Sequence, residues 1–182
     1  MDPITHTCSG ILIGQTLRPS SRVRRPMLFV LALAAFAPDL DSVSYLWGPD
    51  TFYRVHHAYT HTLVGIAAVA LLLAGLECYW VKVISFPGLV ALNLVGCTVH
   101  VLGDVIAVWP LPLLWPWSTQ DFALRWTGDF DLVVMLVVGL GTGLAATDRL
   151  QRFSRWIFGA VSLLLFGYFW WMPGWAGLGA QF

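Results

Sequence analysis

From Leu63 to Leu76 the chain carries no charged side chain, and Glu77 then closes the run. With its flanks, from His61 to about Trp80, the segment is apolar almost throughout, which is the pattern of a helix surrounded by lipid or by other apolar helices. Comparable runs recur at Met27 to Ala37, Leu89 to Val108, Leu132 to Thr147 and Trp156 to Met172. Charged residues make up 11% of the 182 and hydrophobic ones 58%, and the mean hydropathy is +0.72. A water-soluble domain needs about 25% charged residues to coat its surface. Here there is enough polarity to cap helix ends and too little to cover a globule. The expectation is an all-α protein: a multi-pass transmembrane bundle of about six helices, forming a single integral-membrane domain over residues 1–182.

In chain order, the first segment runs from Pro3 to about Leu17. Pro3 suits a first helical turn, and Gly10 and Gly14 leave room for close approach by another helix. At about fifteen residues it is short for a full crossing, which takes roughly 20; a tilted, partly embedded helix is expected. The second helix starts within the basic loop near Arg22 and ends at Pro38-Asp39-Leu40-Asp41. Ser42 to Arg54 is read as a polar connection with a turn at Gly48-Pro49. Helix 3 follows from His61 and helix 4 from Leu89. Trp109 to Thr127 is a loop, because Pro110, Pro112 and Pro116 oppose a continuous helix. Residues 129–182 add two further transmembrane helices, with Asp129 and Asp131 as ordinary helix N-terminal acids.

Charge gives the topology. Counting six passes, the turns at 18–26, 77–88 and 148–155 share one side and hold Arg18, Arg22, Arg24, Arg25, Lys82, Arg149, Arg152 and Arg155, eight of the ten basic residues. Basic loops stay cytoplasmic. The opposite side takes eight of the ten acidic residues and most tryptophans (Trp47, Trp109, Trp115, Trp117, Trp126, Trp170, Trp171, Trp175), as an interfacial aromatic belt would. The N-terminus has no basic start of the cleavable-signal kind, so the first segment is expected to stay. Cys8, Cys78 and Cys97 lack any metal-type or disulfide spacing and read as small core residues. Nothing indicates nucleic acid.

This topology puts all five histidines in one outer layer with several carboxylates. His6 is at the end of helix 1, Asp39 and Asp41 at the end of helix 2, His56, His57 and His61 at the start of helix 3, and His100 and Asp104 in helix 4. Ionisable groups at membrane depth need pairing, water or a cation. His100 and Asp104 are one helical turn apart on the same face, as are His57 and His61. Imidazole and carboxylate together suit a divalent metal, zinc above all. The metal set is His6, Asp39, Asp41, His56, His61, His100 and Asp104. There is no HExxH, GxSxG, SxxK or P-loop.

Met1-Asp2-Pro3-Ile4-Thr5-His6, Pro38-Asp39-Leu40-Asp41, His56 with Thr60-His61, His100-Val-Leu-Gly-Asp104 and Pro112-Leu-Leu-Trp-Pro-Trp-Ser118 come in the order of the YdjM-type family, which this chain resembles over residues 1–122. That family comprises inner-membrane proteins described as metal-dependent hydrolases. Its block reads His-Arg-Gly-x-Thr-His-Ser; His57, Ala58 and Thr62 replace the arginine, glycine and serine. The resemblance therefore carries His56 and His61 over as ligands. It leaves His57 as an extra ligand, an acid/base or a substitute cation. A more distant likeness to zinc-dependent phospholipase C and P1-type nucleases implies phosphoester hydrolysis, by analogy. The expected function is that of a membrane-bound, zinc-dependent hydrolase of the inner (plasma) membrane. Its site would lie on the non-cytoplasmic side and act on a phosphoester such as a phospholipid, with Asp41 or His57 handling the proton. The alternative is a non-catalytic protein that binds metal for structure or transport.

Overall fold

The computed structural model describes residues 1–17 and 19–171, and all its regular structure is helical. Seven α-helices follow in order: α1 Pro3–Thr16, α2 Ser21–Phe36, α3 Pro49–Val55, α4 Leu63–Glu77, α5 Phe86–Ile106, α6 Leu132–Ala146 and α7 Ser154–Trp171. A 3-10 run, Ala37–Trp47, continues α2, and a short one, Gln151–Phe153, leads into α7. The Pro/Trp-rich segment after α5 is a loop, pinned by one antiparallel bridge between Leu111 and Phe122. Ser21–Trp47, Phe86–Ile106 and Gln151–Trp171 are long and apolar enough to cross a membrane, while Leu63–Glu77 and Leu132–Ala146 are shorter apolar helices.

Local chemistry fixes the helix starts. The Asp2 carboxylate accepts from the Thr5 N–H at 2.9 Å, with Pro3 in the first turn. Thr62 accepts from Gly65 N–H at 2.9 Å, and Asp131 from Val133 and Val134 N–H at 3.0 and 3.1 Å. Each cap satisfies a donor that the helix cannot, worth about 1 kcal/mol.

Helix α1 is short, but it is the central post of the bundle. It packs on α2, α5, α6 and α7. A post enclosed by longer helices need not match the bilayer thickness itself. Gly10 allows the contact with α2: a Cβ there would lie 2.5 Å from the Leu31 carbonyl oxygen. Gly96 does the same from α5, where a Cβ would meet Ala34 Cβ at 2.5 Å and the Leu31 oxygen at 3.1 Å. The second helix is thus held between two close neighbours, each admitted by a missing side chain. Farther out, Leu71, Leu72, Leu140, Leu163 and Leu164 are exposed, giving the bundle an apolar exterior.

Two expectations change. Helix α4 begins at Leu63, not His61, because Thr62 caps it and the preceding residues form turns. His57 and His61 are therefore not a helical pair. Ser42 to Arg54 is not an irregular connection either: it holds the end of the 3-10 run and α3, joined at Gly48 with φ 101°. Arg18, Trp175 and the end of the last segment at Met172 lie outside the described residues.

Candidate metal centre

The N-terminus of α1, the 3-10 end of α2, the turn before α4 and the C-terminal half of α5 meet at one end of the bundle. There they bring His6, Asp39, Asp41, His56, His57, His61, His100 and Asp104 together. His61, His100 and Asp104 are fully buried, and His6 nearly so. His61 Nε2 lies 3.3 Å from Asp104 Oδ2 and 3.7 Å from Asp39 Oδ1. His100 Nε2 lies 3.0 and 3.4 Å from the same two oxygens. His6 reaches the other oxygen of Asp104 with Nε2 at 3.0 Å and stacks on His100 with ring centroids 3.7 Å apart. The Met1 amino group also hydrogen-bonds Asp104 Oδ1.

Hydrogen bonding decides which nitrogen of each ring carries its proton. His100 Nδ1 lies 2.7 Å from the Ala35 carbonyl, which can only accept, so Nδ1 donates. The Thr60 hydroxyl donates to Asp41 Oδ2 at 2.5 Å, so it accepts from His61 Nδ1 at 2.8 Å. In their neutral forms both rings then turn a bare Nε2 lone pair toward each other, 2.9 Å apart. Two lone pairs at that distance repel unless a cation or an added proton lies between the rings and their carboxylates. Asp104 Oδ2 sharpens the point: it is buried, and its nearest ring nitrogens, His100 Nε2 at 3.0 Å and His61 Nε2 at 3.3 Å, carry no proton to donate while both rings are neutral. A buried carboxylate oxygen without a donor is costly.

This donor set fits a divalent metal. Two overlapping groups have ligand atoms close enough to share an ion, Asp39 with His57, His61 and Asp104, and His6 with Asp39 and His100. His57, left open between three roles, falls in the first group. It adopts φ 68°, a left-handed conformation unusual for a residue with a Cβ. Its N–H donates to Asp41 Oδ2 at 3.1 Å, which holds the turn in place. Burial, and then the neighbouring His61 and His56, push the His57 pKa down to about 3, so its ring is neutral and has a lone pair to offer.

Asp41 and His56 are placed differently from the other expected ligands. Neither is in the groups that could share an ion. Asp41 accepts from His56 Nδ1 at 2.6 Å as well as from Thr60 and His57 N–H. His56 stacks on Phe52, with centroids 4.5 Å apart. Thr60 and the Ala35 carbonyl, which orient the two central rings, went unnoticed in the sequence. Thr60 directly precedes His61 in the chain, but nothing in the residue order marks a backbone carbonyl.

Across residues 1–176 the sequence matches the family described as YdjM inner membrane protein. The chain belongs to the YdjM family. The match reaches beyond the motif-bearing first two-thirds and takes in α6 and α7, so the YdjM assignment covers the whole bundle. No curated protein and no solved structure matches the chain.

Next to the YdjM centre lies a cavity of about 310 Å³, whose lining includes Asp39, His56, His57, Asp2, Trp109 and Asp129. No Lys or Arg is among its described lining residues.

Proposed function

We propose that this YdjM protein is a membrane-bound, metal-dependent hydrolase, with zinc as the metal and a phosphoester as the substrate. One observation carries the reading: opposed imidazole nitrogens, and a buried carboxylate oxygen that has no donor while those rings are neutral, sit beside a cavity large enough for a headgroup. Asp39, His57, His61 and Asp104 would hold one ion, and His6, Asp39 and His100 a second, with Asp39 shared. Held there, a divalent ion would supply Lewis acidity for activating a water and for stabilising charge on the ester oxygens.

The protein's own groups do the rest. His61 and His100 are locked in the ligating tautomer by Thr60 and Ala35. The Asp41–His56 pair suits proton transfer: with Nδ1–H held by Asp41 at 2.6 Å, the ring keeps Nε2 as an acceptor, and it lines the cavity. His56 would take the proton of the attacking water and return it to the leaving-group oxygen. Asp41 would orient His56 rather than carry the proton itself, because its oxygens are occupied by three donors. The choice of phosphoester rests on the analogy with zinc phospholipases. The excess of basic residues at the opposite end supports a multi-pass arrangement with the centre on the non-cytoplasmic side.

The deciding experiment is metal analysis of detergent-purified protein, with turnover of a panel of phospholipids and soluble phosphodiesters, with and without chelator. Stoichiometric metal and chelator-sensitive hydrolysis are expected. Protein without metal ends the proposal, and tightly bound metal without turnover selects the non-catalytic reading.

A further inference from the structure

We infer that the centre is served by a lipid, with one acyl chain lying in a groove that runs from the metal-site cavity down the side of α1. Helices α5 and α6 both pack on α1 but not closely on each other, which leaves a slot with α1 as its floor. The slot measures about 230 Å³ and is walled by Val99 and Ile106 of α5, Val134 and Val138 of α6, and Leu165 of α7. Its floor is apolar in effect, although Thr5 and Ser9 form part of it. The Thr5 hydroxyl donates to Asp2 at 2.5 Å, and the Ser9 hydroxyl to the Thr5 carbonyl at 2.8 Å. Neither hydroxyl proton is left for a ligand.

Two features connect this slot to the centre. Met1 lines both the slot and the cavity above it. Gly103, also in the slot wall, is so close to the ligand layer that a Cβ there would lie 3.1 Å from His6 Cε1. A chain seated in the slot thus ends where a headgroup meets the cations, and Leu102, more than half exposed, marks the slot's open side. The dimensions choose the occupant. A space of about 230 Å³ is too small for a helix, which with its side chains is about 10–12 Å across, but takes part of a single hydrocarbon chain. Burying its methylenes is worth about 0.8 kcal/mol each against water, but almost nothing against bilayer. The slot therefore positions the lipid, and the affinity has to come from the headgroup. With no Lys or Arg in the described cavity lining, the metal-site end is what would hold a phosphate.

This inference rests on the proposed hydrolase only for the reason a headgroup is held at the centre. The test is to reconstitute the full chain, loaded with zinc, in phosphatidylcholine vesicles doped with a phosphatidylcholine that carries a diazirine midway along one chain. The probe is irradiated and the adducts are mapped by mass spectrometry. Adducts at Val99 and Leu165 are expected to exceed those at Leu71 and Leu72 on the exposed face of α4 several-fold. Ser9→Trp, which fills the floor, should abolish the excess, and Ser9→Ala should keep it. Equal labelling of the slot and of α4 would mean ordinary surrounding lipid and overturn the inference. Cross-linking of two chains through the slot would assign it to a second copy and overturn it as well. If Ser9→Trp does not fold, the contrast within the unmodified chain still decides. Labelling reads occupancy and not turnover, so an excess in the slot of zinc-loaded protein that hydrolyses no ester would sink the hydrolase and leave the groove standing.

Discussion

His61 and His100 meet nitrogen to nitrogen at 2.9 Å, and the proton of each neutral ring is held on the side facing away from the other. Ordinary core histidines avoid this, because one ring usually donates to its neighbour. Here a threonine hydroxyl and a main-chain carbonyl fix both tautomers, and two aspartates flank the gap. The pair makes sense with positive charge between the rings and the carboxylates, supplied by a metal or by an extra proton.

Asp104 carries the largest share of that arrangement, with three imidazoles within 3.3 Å of its carboxylate. Asp104→Asn keeps the shape and removes the charge. Metal content by plasma mass spectrometry should fall to background. Asp121→Asn, a carboxylate outside the centre, should leave it unchanged. A full metal complement in Asp104→Asn would show that the ion binds elsewhere.

Thr60 acts on His61 without touching the ion. Thr60→Val removes the hydroxyl that receives the Nδ1 proton, while Thr60→Ser preserves it. Loss of such an outer partner typically weakens metal binding about 10–100-fold. Competition titration with a zinc-binding dye should show that loss for valine and near-normal affinity for serine.

Protons and metal compete for the same nitrogen. In the metal-free chain burial opposes charge on His61, but the Asp104 and Asp39 carboxylates outweigh it and raise the pKa above 6.5. A raised folded-state pKa gives stability that is fully present below about pH 6.5 and is lost as pH climbs through the raised value. Ligation needs the deprotonated ring and runs the opposite way. The Tm gain on adding zinc should therefore grow from about pH 5.5 to about pH 8. A gain that shrinks over this range would contradict the assignment of His61.

Much of this was legible in the sequence, and for plain reasons. Long apolar runs have few alternatives to helices, so six of the seven were placed to within a few residues. The convergence of His6, Asp39, His61, His100 and Asp104 followed from sorting charged residues onto the two sides of an imagined membrane. The turn from His56 to Thr62 was not legible. Its shape depends on Asp41 gathering His56, the His57 N–H and Thr60, a long-range event that overrides any helical periodicity. The buried Asn93–Glu77 hydrogen bond at 2.6 Å also went unremarked, although an amide inside an apolar run was a signal that could have been followed.

Gly10 and Gly96 link the fold to the chemistry. Both press on α2 at Leu31 and at Ala35, the residue whose carbonyl orients His100. Gly96→Val should destabilise the bundle by about 1–3 kcal/mol through overpacking. It should also weaken zinc binding, although the nearest ligand is a full turn away. Thermal unfolding and the dye titration check the two effects separately.

The sidedness of the centre can be read directly. Single cysteines at Arg24 and Asp50, in a background with Cys8, Cys78 and Cys97 replaced, should react with an impermeant maleimide from opposite faces of the membrane. Labelling of both from one face would reverse the arrangement.

Helix α5 puts Asn93, Cys97, His100 and Asp104 on one buried stripe, so the anchor at its lower end and the ligands at its upper end share a single phase. Each residue turns an α-helix by about 100°. Inserting or deleting one amino acid between Cys97 and His100 would leave the span hydrophobic and of nearly the same length. It would also swing both ligands out of the pocket. For this helix the spacing of residues is as binding a constraint as their identity, and a drift in length would silence the centre without disturbing the protein's place in the bilayer.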